Sequence, residues 1–164
     1  MFSPELLQTA KELLADLRSR NMRIATAESC TGGLVAGVLT EIPGSSDVFE
    51  RGFVTYSNAA KIELLAVGRD VLDRHGAVSA AVAIAMADGA LKHAHADIAL
   101  SVTGIAGPDG GTAAKPVGLV YLAVSRTGAA GEAHRFNFGP IGRNAIRLAA
   151  VSEALRLLSE ASRA

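Results

Sequence analysis

The sequence predicts an α/β three-layer sandwich, in which helices cover both faces of a mixed, mostly parallel β-sheet with a C-terminal β-hairpin. Over the first two thirds of the chain, apolar runs of strand length alternate with helical patterns, as in parallel strands joined by crossover helices. Two further strand-like runs then follow each other across a short turn, which indicates the hairpin. With 164 residues and 49% hydrophobic content, we expect residues 1–164 to form one domain around one core.

The N-terminal part predicts a helix, a strand and a second helix. Residues 3–5, Ser-Pro-Glu, have the order of an N-cap, a first-turn proline and a dipole-stabilising carboxylate, and leucines follow at helical spacing toward Asn21. Residues 24–27 form a short apolar run. The glycine-containing segment 28–33 then leads into a helical pattern that ends near Glu41. Strand, tight turn and helix therefore follow one another.

The middle of the chain predicts a strand and two helices. Residues 52–56 have the composition of a strand, and Asn58 is expected to cap a helix that carries Lys61. Ser79 is expected to cap an alanine-rich helix that ends near His93.

The last third predicts a strand, a long loop, the hairpin and a final helix. Residues 97–103 are an apolar run, and the loop 104–116 contains four glycines and two prolines. Residues 117–125 and 132–138 predict the two hairpin strands, and 143–159 predict the final helix.

The balance of charge argues against a general nucleic-acid-binding protein. Lys and Arg total 16, as do Asp and Glu, so no net positive field exists to hold a polyanion. A small phosphorylated ligand stays possible, because a phosphate needs only one or two cations or a helix N-terminus. The single cysteine, Cys30, cannot form an internal disulfide, and no apolar run approaches the roughly 20 residues of a membrane span. We expect a cytoplasmic protein that binds neither nucleic acid nor membrane.

Ser29 lies where the first strand turns toward the second helix, a position that suits a nucleophile. The following amides of Cys30, Thr31 and Gly32, with the helix dipole, could stabilise an oxyanion or bind an anionic ligand. Gly32 and Gly33 lack side chains, so a ligand could approach the backbone closely. The alternative is that Ser29 or Thr31 only caps the second helix.

A serine nucleophile needs a base, and Lys61 is the candidate. A lysine can serve if burial lowers its pKa, and Lys61 follows the strand that ends near Tyr56, so the two could share proton transfer. They are five positions apart in the chain, so their meeting depends on tertiary structure. A solvated Lys61 and a core Tyr56 are the alternative. The four histidines lie in ordinary structural contexts: His75, His93, His95 and His134.

The glycine-rich run 103–111 could form the opposite wall of a pocket. It begins where an apolar strand ends, the position at which open α/β sheets place ligand crevices. Its glycine spacing matches neither the P-loop nor the dinucleotide fingerprint, and an ordinary turn-rich loop is the alternative. No cluster of His, Cys, Asp or Glu has metal-ligand spacing, so neither a metal nor a cofactor is predicted.

These segments together resemble the CinA C-terminal family of nicotinamide-nucleotide amidohydrolases. The resemblance covers essentially the whole chain, with the blocks in order and at compatible spacing. Some family members carry an extra N-terminal domain, and this chain resembles the stand-alone form. Two positions depart from the pattern, Ala80 where many relatives carry glutamate and Gly142 where aspartate is frequent. The matching segments are 26–33, 49–58 with Lys61, 75–79, 103–111 and 115–118.

The resemblance implies deamidation of nicotinamide mononucleotide to nicotinic acid mononucleotide and ammonia in pyridine-nucleotide recycling. It implies Ser29 as nucleophile, Tyr56 and Lys61 as the proton-transferring pair, and a homodimer or larger homo-oligomer. Arg143 could bind the substrate phosphate or be a solvated surface arginine. The substrate-contacting residues would be Cys30, Thr31, Gly32, Gly33, Asn58, Thr103, Gly104, Ile105, Ala106, Gly107 and Arg143.

Other functions remain open at this stage. The same pocket could belong to a non-catalytic pyridine-nucleotide-binding module, or to an amidase of another small carboxamide, because fold and nucleophile do not fix the substrate. A nucleic-acid-associated competence factor, suggested by the historical family name, conflicts with the balanced charge.

Overall fold

The computed structural model describes residues 2–164 and confirms the predicted α/β fold. A five-stranded sheet lies between two layers of helices. In chain order the elements are α1 Pro4–Ser19, β1 Ile24–Glu28, α2 Leu34–Thr40, a 3-10 turn Ser45–Asp47, β2 Phe49–Val54, α3 Asn58–Leu65, α4 Arg69–His75, α5 Ala80–His93, β3 Ile98–Gly104, β4 Leu119–Arg126, β5 Glu132–Asn137 and α6 Arg143–Arg163.

The sheet is mixed, with strand order β2-β1-β3-β4-β5. β1 pairs in parallel with both β2 and β3, whereas β4 runs antiparallel to β3 and to β5, so β4 and β5 form the predicted hairpin. Glu28, the last residue of β1, pairs with Val54 at the end of β2 and with Val102 near the end of β3. The carboxyl ends of the three parallel strands therefore meet at one edge of the sheet.

Helices cover both faces. α1, α2 and α6 pack on one face against the large side chains Ile98, Leu100 and Val102 of β3. α3, α4 and α5 share a core on the other face, where the sheet presents small residues such as Ala25 and Ala99. Large and small residues alternate along β3, and successive side chains of a strand point to opposite faces. The large residues therefore face one helix layer and the small ones face the other.

Small residues allow α5 to approach its neighbours closely. A Cβ atom at Gly89 would lie 2.0 Å from the carbonyl oxygen of Leu65, so α3 and α5 meet backbone to backbone. The Ser101 hydroxyl donates a 2.6 Å hydrogen bond to the carbonyl of Ala83, which ties β3 to α5. These contacts fix α3, the helix that carries Lys61, against the rest of the fold.

Several element boundaries differ from the sequence predictions. β2 ends at Val54, so Tyr56 lies beyond the strand. α3 is capped by Ser57, whose hydroxyl accepts a hydrogen bond from the Ala60 amide, and the predicted cap Asn58 is instead its first residue. α4 is an additional helix that was not among the predicted elements. No helix within residues 2–164 is both long enough and apolar enough to cross a membrane.

Candidate active site

A cavity of about 290 Å³ opens at the carboxyl ends of β1 and β3. It lies where the sequence predicted a ligand crevice, and most of the predicted site residues line it. A larger cavity of about 480 Å³ lies between the hairpin and the C-terminal end of α6, away from all of them. The predicted residues that line the smaller cavity are Ser29, Cys30, Tyr56, Asn58, Lys61, Thr103, Gly104, Ile105, Ala106, Gly107 and Arg143.

The hydroxyl of Ser29 and the amine of Lys61 meet in this cavity. Lys61 Nζ lies 3.1 Å from Ser29 Oγ and 2.8 Å from the carbonyl oxygen of Thr55. The Lys61 side chain is only 1% exposed, so the alternative of a solvated lysine is wrong. Among residues 2–164 it has no carboxylate partner, and burial lowers its pKa below the ordinary lysine value. The distance is the one that a serine nucleophile and a lysine base would need.

Local structure explains how Lys61 reaches Ser29. The Thr55 amide donates to the Glu28 carbonyl, which extends the pairing of β1 and β2 by one residue past the strand end. The chain then turns, and the Ser57 hydroxyl caps α3 one turn before Lys61. On the neighbouring strand, the Ser29 amide donates to the carbonyl of Val102 at 2.9 Å. The backbone of Ser29 is therefore hydrogen-bonded to β3, and Lys61 lies in a helix that begins three residues after the last backbone bond to β1, at Thr55.

The turn after Ser29 depends on two glycines. Gly32 has a φ of +59° and Gly33 a φ of +94°, a left-handed conformation that glycine adopts at little cost. Thr31, Gly32 and Gly33 do not line the cavity. Thr31 is fully buried, and their predicted contact with substrate stays a prediction.

Glu28 holds the N-terminus of α2. Its buried carboxylate accepts hydrogen bonds from the amides of Gly33 and Val35, both at 3.0 Å, and of Ala36 at 2.8 Å. The first amides of α2 are thus occupied by the chain's own carboxylate. The expectation that the dipole of this helix acts on a ligand is therefore wrong, because Glu28 closes that helix end.

The amides of Cys30 and Thr31 remain available at the turn. Neither donates a hydrogen bond to an acceptor within the described part of the chain, whereas the Gly32 amide donates to the Ser29 carbonyl at 3.0 Å. Arg147 of α6 donates to the carbonyl of Cys30 at 3.1 Å and to that of Thr31 at 2.8 Å. The carbonyls of this turn are satisfied, and two of its amides have no acceptor within the described part of the chain.

Cys30 lines the cavity beside Ser29 but is not a competing nucleophile. It is 6% exposed, and burial raises the pKa of its thiol to about 12. Since the thiolate is the reactive form, the thiol stays protonated and inert at neutral pH.

Tyr56 and Arg143 lie together at the mouth of the cavity. One Arg143 nitrogen donates to the Tyr56 hydroxyl at 2.8 Å, and the other donates to the carbonyl of Gly107 at 2.8 Å. Tyr56 is 60% exposed, so the alternative of a core tyrosine is wrong. No hydrogen bond within residues 2–164 joins Tyr56 to Lys61 or Ser29, and their predicted pairing in proton transfer stays a prediction.

The loop after β3 forms the opposite wall, as predicted. The Thr103 hydroxyl donates to the carbonyl of Ala77, and the Ile105 amide donates to that of Leu119. A Cβ atom at Gly107 would lie 2.7 Å from Val117, so the loop packs tightly at this glycine. The wall is therefore held in place by its own contacts.

None of the four histidines lines the cavity. Residues 2–164 also contain no group of three or more His, Cys, Asp or Glu side chains arranged to hold a metal ion.

The sequence profile of the CinA C-terminal domain matches residues 6–162. The chain belongs to this family. It is 49% identical over 158 residues to the nicotinamide-nucleotide amidohydrolase PncC of Escherichia coli K12, covering 96% of this chain and 95% of that protein. The crystal structure of the competence/damage inducible protein CihA from Agrobacterium tumefaciens superposes with a TM-score of 0.96 at 48% identity, covering 100% of this chain and 99% of that one.

The family also includes longer proteins. A putative competence-damage inducible protein of Symbiobacterium thermophilum is 56% identical over 126 residues, which cover 77% of this chain and 29% of that protein. These comparisons confirm the resemblance found in the sequence.

Two residues that bond the turn after Ser29, Glu28 and Arg147, were not predicted from the sequence. Glu28 was seen only as part of the turn, because it lies six positions before Leu34, the first residue of α2, and not at a usual capping position. Arg147 follows Arg143 at the i, i+4 spacing that puts two side chains on the same helix face, which could have indicated that both face the site.

Proposed function

We propose that this chain is a nicotinamide-nucleotide amidohydrolase, which converts nicotinamide mononucleotide and water into nicotinic acid mononucleotide and ammonia. One observation carries the reaction class, the 3.1 Å distance between the buried Lys61 amine and the Ser29 hydroxyl inside a cavity. The substrate is supported by the 49% identity to the Escherichia coli enzyme of that name across almost the full length of both chains.

Acylation begins at Ser29. The neutral Lys61 amine accepts the hydroxyl proton while Ser29 Oγ forms a bond to the carboxamide carbon. The displaced electron pair moves to the amide oxygen, which the free amides of Cys30 and Thr31 receive. When the carbon–nitrogen bond breaks, the Lys61 ammonium returns the proton to the leaving nitrogen, and ammonia departs.

Deacylation repeats these steps with water. Lys61, neutral again, accepts a proton from a water molecule that attacks the ester carbon of the acyl-enzyme. The same two amides hold the second oxyanion, and Ser29 recovers its proton as the acid product leaves. One amine and one pair of amides thus serve both halves of the reaction.

The remaining residues of the cavity bind the substrate in this proposal. Ile105 and Ala106 provide an apolar surface for the pyridine ring. Arg143 offers the guanidinium at the cavity mouth for the phosphate group, and Tyr56 keeps its own hydroxyl proton free to donate to the substrate or the leaving group.

We further propose that the chain acts as a single domain, in the cytoplasm, as a homodimer or larger homo-oligomer. The candidates for contacts between copies are three large apolar side chains exposed on the surface, those of Val54, Leu64 and Ile141. Light scattering of the purified protein tests the assembly directly, because a monomeric mass contradicts it.

A substrate panel tests the proposed function. The purified protein is incubated with nicotinamide mononucleotide, nicotinamide riboside, nicotinamide and glutamine, and ammonia and acid product are quantified. We expect the highest kcat/KM with the mononucleotide. Binding of the mononucleotide without ammonia release would indicate a non-catalytic binding module, and faster turnover of another carboxamide would indicate a different amidase.

A further inference from the structure

We infer that Arg147 is a positioning residue for the amidohydrolase reaction, because its guanidinium polarises the two backbone amides that receive the oxyanion. The inference rests on the proposed function and assigns a role to a residue outside the cavity lining. The proposed effect of Arg147 is to make the amides of Cys30 and Thr31 stronger hydrogen-bond donors to the oxyanion.

The first contact polarises the Thr31 amide directly. Arg147 Nε donates a 3.1 Å hydrogen bond to the carbonyl oxygen of Cys30. That carbonyl and the Thr31 N–H belong to one peptide group, so electron density drawn toward the carbonyl oxygen makes the N–H a stronger donor. The Thr31 N–H has no other acceptor within the described residues.

The second contact reaches the Cys30 amide through two peptide groups. The other Arg147 nitrogen donates at 2.8 Å to the carbonyl of Thr31, which shares its peptide group with the Gly32 N–H. The Gly32 N–H in turn donates at 3.0 Å to the carbonyl of Ser29, which shares its peptide group with the Cys30 N–H. Hydrogen bonds in such a chain strengthen one another. The Thr31 amide is thus linked to Arg147 through one peptide group, and the Cys30 amide is linked to it through two peptide groups and the hydrogen bond between them.

Among the described residues the Arg147 guanidinium has no ion-pair partner of its own, and the nearby Glu28 carboxylate is bonded to the amides of Gly33, Val35 and Ala36. Arg147 forms no salt bridge within residues 2–164, whereas Arg156, further along α6, pairs with Glu153 and Glu160. The Arg147 guanidinium is half-buried, which limits screening by solvent. Besides burial, the Glu28 carboxylate raises the pKa of the Cys30 thiol and Arg147 lowers it, so removing the guanidinium would leave the carboxylate less opposed at the turn that bears the nucleophile.

A purely structural role for Arg147 predicts a different outcome. If the guanidinium only held the turn in shape, its loss would disturb substrate binding and stability together. If it polarises the amides, its loss weakens an interaction made only in the transition state, which lowers kcat and leaves KM unchanged.

The kinetic experiment compares Arg147→Met, Arg147→Lys and the control Arg156→Met with the parent. We expect Arg147→Met to lower kcat roughly ten-fold, a fraction of the effect of losing an oxyanion donor, with KM within about two-fold. Arg147→Lys keeps the charge but lacks the rigid planar guanidinium that bonds the two carbonyls, so its kcat should lie between those of parent and Met variant. The control should match the parent. A parent-like kcat in Arg147→Met, or a loss confined to KM, would overturn the inference.

A second readout does not depend on the substrate. In spectra of the ¹⁵N-labelled protein, the amide protons of Cys30 and Thr31 should resonate upfield in Arg147→Met and Arg147→Lys relative to the parent, and should stay unshifted in Arg156→Met. Unshifted amide protons in a folded Arg147 variant would overturn the inference even if the parent releases no ammonia. A parent inactive on nicotinamide mononucleotide with the expected shifts would reject the substrate and retain the polarising role.

Discussion

Lys61 Nζ lies 3.1 Å from Ser29 Oγ, on a lysine side chain that is almost completely buried and has no carboxylate partner within residues 2–164. An amine in these surroundings loses its proton more readily than one in water. Proton transfer from Ser29 to Lys61 requires an uncharged amine, and this makes the protonation state of Lys61 testable.

The rate should depend on pH through Lys61. Burial lowers the pKa of Lys61, and only the neutral amine accepts a proton, so kcat/KM is expected to rise with pH until that lowered pKa is passed. Lys61→Met should lower kcat by roughly 10²- to 10⁴-fold and remove this rising limb from the residual activity. Initial rates of ammonia release across pH 6–10 measure both. A parent profile that falls as pH rises would contradict Lys61 as the base.

The stability of the protein should depend on the same group. The pKa of Lys61 is lowered in the folded state, and in the unfolded chain it returns to about 10.4, so between the two values the unfolded state binds more protons. The parent should therefore gain stability relative to Lys61→Met as pH rises through this interval, by at most about 1.4 kcal/mol per pH unit. Below the lowered pKa of Lys61, the difference in free energy of unfolding between the parent and Lys61→Met should not change with pH.

Urea denaturation of both proteins between pH 7 and pH 10 measures this difference. Lys11→Met, at an exposed position of α1, is the control and should keep a constant offset from the parent. If the difference in free energy of unfolding between the parent and Lys61→Met were also independent of pH, Lys61 would have an ordinary pKa in the folded protein.

Glu28→Gln should destabilise the protein markedly. The carboxylate accepts three backbone amides, and a glutamine would replace one of its oxygens by a donor that faces other donors. Leaving buried amides without an acceptor costs about 1–3 kcal/mol each, so we expect a loss of roughly 2–4 kcal/mol and a lower Tm. Calorimetry measures it. Glu160→Gln, which alters only an exposed ion pair, should change Tm little, and an equally small effect at Glu28 would contradict the proposed cap.

Arg143→Gln should act on the phosphate end of the substrate. Loss of one exposed charged donor is expected to raise KM for nicotinamide mononucleotide about ten-fold, with little effect on nicotinamide riboside, which lacks the phosphate. Steady-state kinetics with both substrates make the comparison. An equal rise in KM for the riboside would assign Arg143 to shaping the cavity mouth instead.

The sequence predicted the three-layer architecture well, because the alternation of apolar runs and helical patterns reports directly which faces are buried. It also brought Ser29 and Lys61 into consideration, since residues that follow parallel strands meet at one sheet edge. Their contact depends on the Ser57 cap and the end of β2 at Val54, boundaries that composition locates only to within a few residues.

The roles of Glu28 and Arg147 were not predicted from the sequence for a different reason. Their roles consist of hydrogen bonds to backbone atoms of a turn, and Arg147 makes its contacts across more than 100 residues of chain. Backbone partners leave no complementary residue type in the sequence, so no pattern of side chains points to them. The use of the helix dipole was mispredicted for the same reason, because the Glu28 carboxylate that occupies it bonds only to amides.

Ammonia release from nicotinamide mononucleotide by Ser29→Ala, relative to the parent, tests the central claim most directly. Ser152→Ala, at an exposed position of α6, is the matched control, and circular dichroism verifies that all three proteins are folded. A serine nucleophile predicts that Ser29→Ala loses at least about 10⁴-fold in kcat while the control matches the parent. If folded Ser29→Ala kept a kcat within about ten-fold of the parent value, nucleophilic catalysis by Ser29 would be contradicted.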